Sequence, residues 1–324
     1  MVKFAAVYVQ TVPMLVFLKC HRAAVRTILF ALPVVLLAVG AEWGLRRMPN
    51  MYRPKEAAMR TVADSVETLV LGASHTLMGI RPDSLGTRGF NMAGVSQTSD
   101  IDAMLLDALL PKMPRLHNVV VGADAAILAD PPLCEGSESF RCTYYNLYTH
   151  LGGQRIGTWP RFAFLIADWE GVKLQLAALR YKRTDPETDR NGWYCGYTLE
   201  RKALDATSPD ACSKRAAQHL TYGRGHVADN RAALRRIYRT CHENGLRFVL
   251  INTPVHTLYR QALAGWLQDS VAATLDEFRN MPGTLVLDFS AAPQFCEQDF
   301  FDPDHLATTG AAKLSRLLRE EYRL

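Results

Sequence analysis

Residues 67–75 read Glu-Thr-Leu-Val-Leu-Gly-Ala-Ser-His, and residues 300–306 read Phe-Phe-Asp-Pro-Asp-His-Leu. The first stretch is an apolar run of strand length that stops at Gly72 and a small-residue turn carrying Ser74. The second places Asp302 three residues before His305. A serine or a histidine alone carries little information. A hydroxyl on a tight strand-to-helix turn, with Asp-x-x-His closing the same domain, outlines a nucleophile, its base and the base's orienter.

Strand and helix signals alternate around these two blocks. Residues 67–71, 89–93, 118–121, 247–252 and 284–288 read as five short strands. Residues 99–110, 229–244, 258–278 and 308–322 carry helical spacing between them. That alternation predicts an α/β fold, a parallel sheet covered on both faces. In such sheets sites gather at the carboxyl ends of the strands. Ser74, Gly94 and Asp124 follow the first three strands, and Asp302 and His305 follow the fifth.

The alternation is lost over residues 130–225, which are rich in cysteine and in aromatics such as Tyr144, Tyr145, Trp159, Trp169, Trp193 and Tyr197. This stretch reads as an insertion or lid, with a helix over 161–179. Its aromatics suit lid packing or, in a rival reading, a sugar platform. The seven cysteines form no Cys-x-x-Cys pair, so zinc and thioredoxin-type chemistry lack support, and no metal or cofactor is expected. Cys134 with Cys142 and Cys195 with Cys212 each bracket a short polar loop and are the expected disulfides, leaving Cys241 with Cys296. Buried free thiols are the alternative.

Residues 27–45 form an apolar stretch near the length of a membrane helix, after a leader of residues 1–26 that carries Lys19, Arg22 and Arg26. Those charges favour a cytoplasmic leader, a single anchor in the inner membrane and an exported remainder. A signal peptide cleaved after Ala41 is the rival reading. Residues 46–64 are polar and basic and read as a linker, leaving 65–324 as the folded domain. The 324 residues carry a net charge of only +5, with basic residues scattered and no nucleic-acid-binding motif, so no nucleic-acid partner is expected.

Gly72-Ala73-Ser74-His75, Asn91-Met92-Ala93-Gly94 and Asp302-Pro303-Asp304-His305-Leu306 resemble blocks I, II and V of the SGNH hydrolase superfamily. The variant is similar to its membrane-anchored members, which work beside membrane-bound O-acyltransferases in envelope polymer modification such as alginate O-acetylation or teichoic acid D-alanylation. The resemblance covers residues 66–125 and 226–324 and implies a flavodoxin-like three-layer domain. It implies Ser74 as nucleophile, His305 as general base and acid, and Asp302 as its orienter. The backbone N–H groups of Ser74 and Gly94 would then form the oxyanion hole. The family's third block is Gly-x-Asn-Asp, whereas this chain has Gly122-Ala123-Asp124-Ala125. An ionised Asp124 cannot donate to an oxyanion. Either burial protonates it, another group substitutes, or activity is low.

Two functions follow from the resemblance. One is an exported acyl transferase or esterase acting on O-acyl groups of an envelope glycan. The other is a non-catalytic or glycan-binding partner of a membrane-bound O-acyltransferase.

Overall fold

Five short runs of apolar residues pair in register as β1 (Thr68–Leu71), β2 (Gly89–Asn91), β3 (Asn118–Gly122), β4 (Arg247–Asn252) and β5 (Thr284–Asp288). Every pairing is parallel, and the order across the sheet is β2-β1-β3-β4-β5. The computed structural model describes residues 11–149, 160–180 and 187–324. Its helices are α1 (Thr11–Arg47), α2 (Tyr52–Val62), α3 (Ser74–Gly79), α4 (Ser99–Leu109), α5 (Ala125–Ala129) and α6 (Arg141–Tyr148). They continue as α7 (Trp169–Arg180), α8 (Pro209–Gln218), α9 (Val227–Glu243), α10 (Thr257–Ala262), α11 (Gly265–Arg279) and α12 (Thr308–Tyr322).

The pleat sorts the strand residues into two cores. Leu69, Leu71, Val119, Val121, Phe248 and Leu250 face one side, against α4, α9 and α11. Val70, Val120, Val249, Ile251 and Leu287 face the other, against Leu314 and Leu318 of α12. A strand with both faces buried needs the continuous apolar run seen here rather than an alternating one. The result is a three-layer α/β arrangement whose strand order matches the flavodoxin-like doubly wound sheet. Its switch point lies between β1 and β3, where the chain turns from one half of the sheet to the other.

Four expectations need correction. Residues 46–64 are not a polar linker, because α2 packs onto the domain, with Tyr52, Lys55, Glu56 and Met59 buried. Tyr52 stacks on Tyr144 at 5.2 Å between centroids and meets Tyr145 edge-on at 5.0 Å. The helix expected over 161–179 begins only at Trp169, after two 3-10 turns at Pro160–Ala163 and Leu165–Ala167. The expected anchor of 27–45 is part of the longer helix α1, whose candidate membrane span is His21–Arg47. The first ten residues of the leader, residues 150–159 of the insertion (Trp159 among them) and residues 181–186 lie outside the described residues.

The cysteines supply the fourth correction. Cys134 and Cys142 are bonded as expected. Cys195, Cys212, Cys241 and Cys296 are free thiols. Cys195 Sγ turns to the Glu187 carbonyl at 3.1 Å, while Cys212 is buried beside Thr207 and His256. Cys241 is buried in the α9 layer, whereas Cys296 is exposed in the loop after β5.

Candidate active site

β1 ends at Leu71, and Gly72 follows it with a φ of +119°, open to glycine and strained for other residues. A Cβ there would lie 2.6 Å from Thr76 Oγ1 and 3.0 Å from the Gly122 amide. This tight exit turns the chain into α3 with Ser74 as its first residue, part exposed at the carboxyl end of the sheet. The buried Asn91 amide fixes α3 from below, donating to the carbonyls of Thr76 and Ile80 at 2.9 Å each.

Ser74, His305 and Asp302 meet in one hydrogen-bond chain. His305 Nε2 lies 2.8 Å from Ser74 Oγ across 231 residues of sequence. His305 Nδ1 lies 2.9 and 3.0 Å from the two oxygens of Asp302. Asp302 Oδ1 also accepts the backbone N–H groups of Asp304 at 3.1 Å and His305 at 2.9 Å, which fixes the carboxylate before the ring reaches it. An ionised carboxylate only accepts, so Nδ1 carries the proton and Nε2 presents its lone pair to the serine hydroxyl.

Beside this chain lies a second charged cluster. His75 is buried between two carboxylates, with Nδ1 2.8 Å from Asp124 and Nε2 3.1 Å from Asp304. Burial lowers its pKa, but Asp124 and Asp304 outweigh burial and raise it to about 10, so the ring is a buried cation. Burial would raise Asp124, yet the His75 charge, its hydrogen bond and the Ile127 N–H hold the group below the ordinary carboxylate range. Burial opposes ionisation of Asp304 too, yet the surrounding imidazoles, of which His75 is the cation, hold the group well below the ordinary carboxylate range. Arg215 reaches in from α8, 3.1 Å from Asp304 and 3.8 Å from Asp302. His219 lies 3.5 Å from Asp304, and burial lowers its pKa to about 4, so it is neutral. Its Nδ1 accepts from the Tyr259 hydroxyl at 2.6 Å, which leaves Nε2–H facing Asp304.

The expected oxyanion donors are only partly available. Among the described residues the Ser74 amide has no acceptor. The Gly94 N–H instead donates to the Gly72 carbonyl at 3.0 Å. Asp124 is no donor: one oxygen caps α5 by accepting from Ile127 N at 3.0 Å and the other pairs with His75. Protonation of Asp124 by burial, one of the options left open by the sequence, fails because the His75 cation sits on it.

Lys55 of α2 is buried and donates to the Ala93 carbonyl at 2.5 Å, so it holds the peptide whose N–H belongs to Gly94. Burial lowers its pKa to about 7, with Asp189 opposing. The insertion covers the other side. Tyr197 stacks on Phe301 at 3.9 Å and meets the His305 ring edge-on at 5.6 Å. Trp193 donates its indole N–H to the Met78 carbonyl at 2.9 Å. His256 stands apart, paired with Glu297 at 2.8 Å and capping α10.

Sequence reasoning gives His75 only a structural or rim role and misses Arg215, His219 and Lys55. The Asp-Pro-Asp-His block did contain one signal, a second carboxylate at Asp304 that needed a cation. His75, Asp304 and His305 crowd within 4.8 Å of one another, close enough to share an ion. The ring nitrogens of the two histidines face Asp124, Asp304, Ser74 and Asp302. Two cavities flank the cluster. One of about 450 Å³ is lined by Ser96, Thr98, Asp130, Arg215, His219 and Tyr222, the other of about 320 Å³ by His75, Asp124, Asn252, Tyr259, Arg260 and Asp288 among others. Neither is lined by Ser74.

No protein-family model matches the chain, and no curated protein matches it in sequence. Among solved structures it is similar to a Streptococcus pneumonia protein provisionally described as a platelet activating factor, with a TM-score of 0.40 and 11% identity over 90% of this chain and 98% of that one. A likeness that distant carries no functional argument. The sheet, the apolar helix and the geometry around Ser74 are what characterise this chain: a three-layer α/β domain behind a candidate membrane span.

Proposed function

We propose that this is a membrane-anchored SGNH-type acyl transferase or esterase, acting on O-acyl groups of a cell-envelope glycan. The observation that carries the reading is the chain Ser74 Oγ, His305 Nε2, His305 Nδ1, Asp302, closed at 2.8 to 3.0 Å at a strand end. Ser74 Oγ attacks the acyl carbonyl carbon as its proton passes to Nε2. The tetrahedral intermediate collapses to an acyl-serine, and the leaving alkoxide takes that proton. A glycan hydroxyl or water then gives its proton to Nε2 and attacks the ester, and as the second tetrahedral intermediate collapses the departing Ser74 Oγ takes that proton back. Asp302 holds the ring and stabilises its charged form throughout. The Ser74 N–H supplies one oxyanion contact, and the Gly94 N–H joins only on release from Gly72. One missing donor costs roughly 10²–10³ in rate.

Ser74→Ala should reduce turnover of a small acyl ester by roughly 10⁴-fold or to background, abolish fluorophosphonate labelling and leave thermal unfolding unchanged. Unchanged turnover would sink the assignment. The engaged Gly94 amide and ionised Asp124 favour a second reading, a non-catalytic partner of a membrane-bound O-acyltransferase. Under that reading the same variant still supports polymer modification in cells. The apolar helix and the disulfide support an exported domain held at the inner membrane, with lipid as its first partner.

A further inference from the structure

Helix α7 packs one apolar side chain, Val172, against the core and leaves its larger ones in solvent. The face it turns to the protein carries Gly171, against the Phe140 ring, and Gln175, which donates to the Tyr144 hydroxyl. The faces it turns to solvent carry Trp169, Leu174, Leu176 and Leu179, each half exposed or more. Phe164 and Ile166, from the turn before it, are exposed alongside. These six make up six of the eight exposed large apolar side chains beyond α1 among the described residues. A surface helix in water is expected to show the opposite polarity.

The patch adjoins the end of α1. Glu42 accepts the backbone N–H groups of Leu165 at 3.2 Å and Ile166 at 2.9 Å, and Arg46 donates to the Ala163 carbonyl at 3.2 Å. Trp43, exposed and covered by the Arg47 guanidinium at 3.4 Å, marks the level at which the apolar helix meets its polar end. The aromatic and basic pair is what a bilayer interface selects. These three bonds hold the turn before α7 beside the plane where α1 would leave the bilayer; along α7 itself Lys173 is paired with Glu170 at 2.7 Å, and Arg180 adds positive charge at its end.

We infer that α7 and the turn before it form a second, monotopic membrane contact, seated in the headgroup region of an anionic bilayer beside the anchor. The contact rests on the anchor reading of α1. Apolar burial supplies its affinity, and Arg47 and Arg180 favour anionic headgroups.

The test uses the full chain in nanodiscs of phosphatidylethanolamine and phosphatidylglycerol with brominated acyl chains. The emission of Trp169 is taken as the difference between wild type and Trp169→Phe. Loss of that emission in brominated lipid, with protection from aqueous acrylamide, is the expected result. Leu174→Glu, Leu176→Glu and Leu179→Glu together should abolish the lipid quenching and leave the far-ultraviolet spectrum unchanged. Quenching of Trp169 by acrylamide and not by lipid overturns the inference, as does lipid quenching that survives the three glutamates. Trp43, read with Trp43→Phe, separates the two ideas. If lipid quenches Trp43 and not Trp169, the anchor stands and the second contact falls; if it quenches neither, both fall.

Discussion

His75 carries a carboxylate on each ring nitrogen, and this has a readable pH signature. Its folded pKa, about 10, lies above an unfolded value of about 6.5. The stability it contributes is complete below about pH 6.5 and is lost as pH rises through about 10. Lys55 has the opposite sign. Its folded pKa, about 7, lies below an unfolded value near 10.5, so the cost of burying its charge is relieved as pH rises between those values. Between about pH 7 and 10 the two slopes oppose each other. Below about pH 9, before the raised thiols of Cys195, Cys212 and Cys241 add their own slope, Lys55→Met removes one and should leave stability falling by about 1.4 kcal/mol per pH unit, where the wild type is nearly flat; urea titration in detergent across that range reads it. A flat variant profile would show that His75 is not held as a cation. The Ser74, Asp302 and His305 set was legible in sequence because its residue types and its Asp-x-x-His spacing are rare together. The His75 pair was not, since Asp304 lies 229 residues away and only the fold closes that distance.

At the scale of elements, α2 is the piece that local polarity concealed. Tyr52, Lys55, Glu56 and Met59 fall at helical spacing, but two of the four are charged, and a charged residue counts as solvated in any pattern of apolar positions. The strands were legible for the converse reason, being short apolar runs bounded by glycine with no polar residue to misplace. α2 stays helical because tertiary packing rewards one face, with Met59 only 1% exposed. Met59→Ala should cost about 2–5 kcal/mol, visible as a lower denaturant midpoint with an unchanged slope. A neutral substitution would mean that α2 does not dock in solution. The insertion was legible only as an irregular stretch, because its order comes from single contacts such as Trp193 to Met78 rather than from a repeating period.

For the whole molecule the decisive question is whether α1 persists. The apolar side chains of Val25 to Trp43 are exposed, and nothing in the folded domain covers those of Val25 to Val39. The protein extracted from membranes should therefore retain the residues before Glu42, require detergent and resist high-salt washing; intact mass reads the first property directly. A mature N-terminus at Glu42 would establish the cleaved reading in its place. Only residues 48–51 separate α1 from α2, at most about 14 Å of extended chain. With Glu42 also tied to the domain, Ser74 has no tether to swing on. If α1 anchors the chain and the proposed function holds, a centre carried this way would work at one altitude above the lipid. Its substrates would then be selected by the height at which they pass, so a polymer would be modified while it is still close to the surface from which it emerges, and the same polymer further out would be beyond reach.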